Sequence, residues 1–210
     1  MRKQIKTIAM LLMAFMTAPS VQAQIDLGSV LNSVIGDGAS GDDVVSGLTS
    51  VFSSSKQATA EKIIGTWSYT EPAIVFTSDN LLAKAASKIA ANKVEKKLQE
   101  QLDKYGIKPG AFSITFNEDG TCSETVNGKT FKGKWTVSDS KLQLSLAGVK
   151  SLAITTQISG KDMQVVTDAT KLLNLFKTLG AKSSNSNIKT VASLMKSVNG
   201  MQAGVTLRRQ

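Results

Sequence analysis

The sequence predicts a mainly β fold with helical insertions, an antiparallel up-and-down barrel of about eight strands. A long helix follows the first strand and a helical pair precedes the last. Three observations carry this reading. From Ala111 to Thr167 apolar and polar residues alternate with a period of two, the pattern of strands with one dry and one wet face. Turn signals punctuate the alternation at Asn117-Glu118-Asp119-Gly120, Asn127-Gly128 and Ser159-Gly160-Lys161-Asp162. Finally, Gly65-Thr66-Trp67 opens the strand series and Gly204-Val205-Thr206-Leu207-Arg208-Arg209 closes it. Barrel closure sets first and last strands side by side, where a cation, read as Arg208, covers the Trp67 indole.

Ahead of the barrel, residues 1–23 read as a secretory signal: Arg2, Lys3 and Lys6 form the charged start, Ile8 to Met16 the apolar middle and Val21-Gln22-Ala23 the cleavage site. The apolar run falls short of the ~20 residues that span a bilayer, so a soluble mature chain without a transmembrane segment is expected. Loss of the leader lowers the formal net charge from +9 to +6. Residues 24–60, rich in Ser, Gly and Asp, form an N-terminal helical or flexible arm with amphipathic stretches at Ile25 to Ile35 and Asp42 to Phe52. Packing on the barrel, contact with a partner and a spacer role all remain open for it.

Residues 61–210 make the barrel domain. After the first strand, Pro72 ends regular pairing or marks an edge, and Ser78 or Asp79 caps a helix running to about Tyr105. Its apolar stripe is Leu82, Ala86, Ile89, Ala90, Val94, Leu98 and Leu102, and such a stripe covers the open end or the side of the barrel. The strands that follow place Phe112, Ile114, Phe116, Phe131, Trp135, Leu142, Leu144 and Leu146 on the apolar face. Leu172 to Leu179 and Ile188 to Val198 form the helical pair, and Asn199-Gly200 turns into the last strand.

The chemistry that the composition withholds is informative. The chain has no histidine, which removes Ser-His-Asp and Cys-His catalysis and the commonest transition-metal ligand. One cysteine, Cys122, excludes an internal disulfide and a usual zinc set, and in a strand it reads as a small buried hydrophobe. No phosphate-binding glycine loop is present, and Asn117 to Gly120 lacks the spacing of a calcium loop. Glu71, Glu118 and Glu124 supply carboxylates for glycoside chemistry, but each reads as a turn or exposed-face residue. The helix lysines alternate with Glu95, Glu100 and Asp103, and only two arginines remain in the mature chain, a poor match to nucleic-acid binding. No enzyme, cofactor or metal is expected.

Gly65-Thr66-Trp67 resembles the glycine-x-tryptophan signature of the first lipocalin strand, and Arg208 stands where an arginine packs on that tryptophan. The run from Ile63 to Arg209, with Ile107-Lys108-Pro109-Gly110-Ala111-Phe112 and Phe116-Asn117-Glu118-Asp119-Gly120-Thr121, resembles an uncharacterised family of exported lipocalin-like proteins from Gram-negative gut anaerobes. The resemblance implies a lipocalin-like barrel and a periplasmic or secreted location, and carries no activity with it. Lipocalins usually place their helix near the end of the barrel, so the helix inserted here after the first strand makes the entrance this chain's own.

Two roles follow as expectations. One is a binding protein for a small apolar or amphipathic ligand, lined by Phe112, Ile114, Phe116, Phe131, Trp135, Leu142 and Leu144. The other is a solid-core structural or interaction module whose envelope protein partner docks on the arm or the lysine-bearing helix.

Overall fold

In the computed structural model the described residues are 49–77, 85–104, 106–126, 128–146, 153–168, 171, 193, 195–196 and 198–210. The signal segment, the first amphipathic stretch of the arm and most of the expected helical pair lie outside them. The elements are β1 (Thr49–Val51), a 3-10 turn (Ser54–Lys56), α1 (Ala60–Ile63), β2 (Gly65–Phe76) and α2 (Ala85–Lys104). They continue with β3 (Phe112–Phe116), β4 (Thr121–Val126), β5 (Lys129–Ser138), β6 (Lys141–Leu146), β7 (Ala153–Ser159), β8 (Asp162–Thr167) and β9 (Met201–Arg209).

Strands β2 to β9 pair in sequence order, all antiparallel, and β9 pairs back onto β2, so eight strands form a closed ring. The turns expected from the sequence join β3 to β4 and β7 to β8. Asp119 fastens the first of these, its Oδ1 accepting from the Thr121 amide and hydroxyl. These bonds also hold the Asp119 carboxyl below its usual range.

The cation over Trp67 is Arg209, not Arg208. Arg209 is the register partner of Trp67, and its guanidinium carbon lies 4.4 Å from the ring centroid. Side chains alternate along a strand, so Arg208 points outward and binds Asp162 at 2.8 Å. Arg209 also donates to the carbonyls of Ile64, at 2.7 Å, and Lys62, while the Trp67 indole donates to Ile63 at 2.7 Å. The end of α1 is thereby stapled across one mouth of the barrel. Gly65 is required at this crowded point: its φ is +127°, and a Cβ there would lie 2.7 Å from Arg209 Nη1.

The first strand is longer than the sequence pattern indicates, and Pro72 lies inside it. Along β2 one edge carries β9, while the other carries β3 over Gly65–Ser68 and β1 over Ile74–Phe76. Proline, which lacks an N–H, falls in the gap where no described strand covers that second edge. A bulge between Tyr69 and Glu71 lets the long strand change partners.

Residues 49–58, expected as part of a helical arm, instead strap the outside of the barrel. β1 pairs parallel to β2, Gln57 bridges Gln157, and the Ala58 amide donates to Ser140 Oγ at 3.1 Å. The short apolar run around Val51 gains a sheet edge here, which a period-based reading of the isolated segment does not reveal.

The stripe on α2 behaves as the sequence indicates. Ala90, Val94, Leu98 and Leu102 are buried and join the same core as the barrel interior, with Ile89 packed at its margin. Leu82 and the side chain of Ala86 lie outside the described residues. Short turns close the barrel end that holds Trp67, whereas β2, β6 and β8 finish and β3, β7 and β9 begin at the other end, so the longer connections belong to that end.

Candidate ligand site in the barrel

Period-two alternation with the observed register aims one set of side chains inward from four consecutive strands. Phe112, Ile114, Phe116, Trp135, Leu142, Leu144 and Leu146 are all buried, as their spacing requires. Phe131 departs from this pattern. It shares the inward parity of Trp135 but is only half-buried, close to the barrel end with the long connections.

The interior is densely aromatic. Tyr69 stacks on Phe112 with centroids 5.3 Å apart, and Phe116 meets Trp135 edge-on, also at 5.3 Å. The Trp135 indole N–H is satisfied by the Asn117 carbonyl at 3.0 Å.

Glu124 corrects the sequence reading most. Its charge marks it as a surface residue, yet it is 0 % exposed, on the inward face between Cys122 and Val126. Register pairs it with Ile114 on one side and Phe131 on the other. Neither carboxyl oxygen has a hydrogen-bond partner, and burial pushes its pKa well above the usual carboxylate range. The parity signal was available in the sequence, since Glu124 alternates with the apolar Cys122 and Val126 against Ser123 and Thr125.

Tyr69, two residues beyond Trp67 on the same strand face, is a second interior polar group that the Gly-x-Trp motif does not single out. Its hydroxyl is buried without a hydrogen-bond partner. Burial, with smaller contributions from Asp103 and Glu71, raises its pKa. Cys122 is buried as the sequence indicates, and burial with the neighbouring Glu124 pushes its thiol up to about 12.

The three carboxylates considered for glycoside chemistry do not converge. Glu71 lies on the outer wall, Glu118 in the exposed β3–β4 turn and Glu124 inside the barrel. Among the described residues no group of three or more Cys, Asp and Glu is placed to hold a metal ion, and no helix is long and apolar enough to cross a membrane.

The fold and interior define a closed up-and-down barrel of lipocalin type, with apolar walls and one uncompensated carboxyl inside. The chain belongs to the family of lipocalin-like domains designated DUF4923, whose model matches residues 35–209. No curated protein matches it. A crystal structure of a DUF4847 family protein from Bacteroides vulgatus is similar over 70% of this chain and 94% of that one, at 12% identity and a TM-score of 0.33.

Proposed function

We propose that this chain is an exported binding protein that carries a small amphipathic ligand in its barrel and performs no catalysis. The leader is removed after Ala23 and the mature protein works in the periplasm or outside the cell. The ligand enters past Phe131, at the end with the long connections. Its apolar body meets Phe112, Ile114 and the leucines of β6, and its polar end meets Glu124.

The observation that carries this reading is Glu124 itself. A buried carboxyl with both oxygens unpartnered costs stability, and a hydrogen-bonding ligand group offsets that cost. Burial favours its protonated form, and a protonated carboxyl offers both a donor and an acceptor.

Native mass spectrometry of the protein purified without detergent from its host tests the reading. An adduct of small-molecule mass is expected, with lower occupancy in Glu124→Leu. A bare chain from wild-type cells would remove it.

The aromatic packing favours a second reading, in which the barrel is solid and an envelope protein is the partner. Tyr69, Phe112, Phe116 and Trp135 already fill much of the interior with their own side chains. Deletion of residues 24–48 would then abolish capture of that partner while leaving the fold intact.

A further inference from the structure

The outer wall under the strap has a polar character that the barrel interior does not explain. Cross-strand register lines up Gln157 of β7, Gln164 of β8, Thr206 of β9 and Glu71 of β2 in one row. The next row is Ser159, Asp162 and Arg208. Residues 50–56 roof these rows and enclose a partly open cavity of about 320 Å³, bounded by Ser50, Lys56, Glu71, Gln157, Gln164 and Thr206. That volume lies at the lower end of small-molecule sites, about 300 Å³ and above.

Two residues of this lining each carry one buried polar atom without a hydrogen-bond partner. Gln157 is 2 % exposed; its amide nitrogen donates to Ser50 Oγ at 2.7 Å and to Gln164 Oε1 at 2.6 Å, leaving its Oε1 unpartnered. Thr206 is 3 % exposed, and its Oγ1 is also unpartnered. Polar atoms buried this deeply are ordinarily hydrogen-bonded, so the pair marks where an occupant belongs.

Charge and shape narrow the occupant's chemistry. Asp162 is bound by Arg208 through two hydrogen bonds, at 2.8 and 3.3 Å, which leaves Glu71 and Lys56 as opposite charges facing the cavity. With Arg208 set against Asp162 the formal charges around the cavity cancel, and among the described residues the lining contains no aromatic or aliphatic side chain on which an apolar body could rest. A wall that mixes acceptors, a hydroxyl and one ammonium matches groups that donate and accept at once, as alcohols do.

We infer that this trough is a second ligand site, separate from the barrel interior, for a small neutral polyhydroxylated molecule of monosaccharide size. Gln157 Oε1, Thr206 Oγ1 and Glu71 accept its hydroxyls, Lys56 donates to it, and the strap that carries Ser50 and Lys56 covers it.

Titration of the isotope-labelled mature protein with D-glucose, N-acetyl-D-glucosamine and myo-inositol, followed by NMR, tests this. Saturable shifts are expected at the Gln157 and Gln164 side-chain amides for at least one of the three, and none for D-gluconate. Thr206→Val keeps shape and removes an unpartnered hydroxyl, so it should fold at least as well as the parent and bind about five- to tenfold more weakly, the loss of one neutral hydrogen bond. Glu71→Gln provides a second variant with the same expected direction. Absence of saturable shifts with all three probes would overturn the inference, as would binding that neither variant weakens or that D-gluconate shares.

Discussion

Arg209 lies 4.4 Å above the ring of Trp67, directly across the β2–β9 seam that closes the barrel. One side chain from the end of the domain thus holds the first strand, the last strand and the end of α1 together. The cation–π contact and the hydrogen bonds to Ile64 and Lys62 share one guanidinium, whose planar fork lysine cannot reproduce.

Arg209→Ala is expected to lower stability by about 2 kcal/mol, from a cation–π contact and charge-assisted hydrogen bonds at a partly buried site. Arg208→Ala should stay close to the parent, because its pair with Asp162 is solvent-exposed. Urea denaturation of both variants makes the comparison; equal losses would show that the seam does not depend on Arg209. Gly65→Ala should also destabilise, by about 1–3 kcal/mol, through its backbone conformation and the displaced guanidinium.

Glu124 makes stability fall as pH rises. Its folded pKa lies above the unfolded value, so between the two the native state binds the extra proton. The stability present below the unfolded carboxyl pKa is therefore lost progressively as pH climbs toward the folded value. Glu124→Gln should flatten this dependence in ligand-free protein. Glu124→Leu should raise stability by about 1–3 kcal/mol by deleting unpartnered buried atoms. Thermal melts from pH 5 to pH 8 provide the readout, and a parent curve as flat as the glutamine variant's would contradict the assignment.

Cys122 should resist modification in the folded protein. Its thiol is buried and its pKa is pushed up to about 12, so almost no thiolate is present at neutral pH. Labelling by an aromatic disulfide reagent is expected to be slow in buffer and rapid in denaturant, with a rate that tracks opening of the barrel. Rapid labelling under native conditions would place the thiol elsewhere.

The strap should loosen when Ser140 loses its side chain. Ser140→Gly removes the acceptor of the Ala58 amide at a position whose φ, 59°, glycine adopts freely. Faster exchange of the Ala58 amide and faster trypsin cleavage after Lys56 are expected, with β3 to β6 unaffected. Unchanged exchange at Ala58 would mean that strand pairing alone holds the segment.

Much of the barrel was legible because the period of two is a local property: it follows from alternating side chains and requires no knowledge of neighbours. The hairpins from Phe112 to Leu146 and the buried face of α2 were readable for that reason. At Glu124 the same parity points inward while the charge points outward, and burial follows the parity. The resemblance to the lipocalin arginine points to Arg208, one residue from the partner that register selects.

The sequence by itself determined which residues alternate, where the chain turns and that catalytic histidine chemistry is absent, because each depends only on residue type and spacing. Tertiary structure decided the seam partner of Trp67, the burial of Glu124 without a counter-charge and the strapping of residues 49–58 across the outer wall. Those outcomes depend on strand register and on which edge a short segment finds, both set by contacts between residues far apart in the chain.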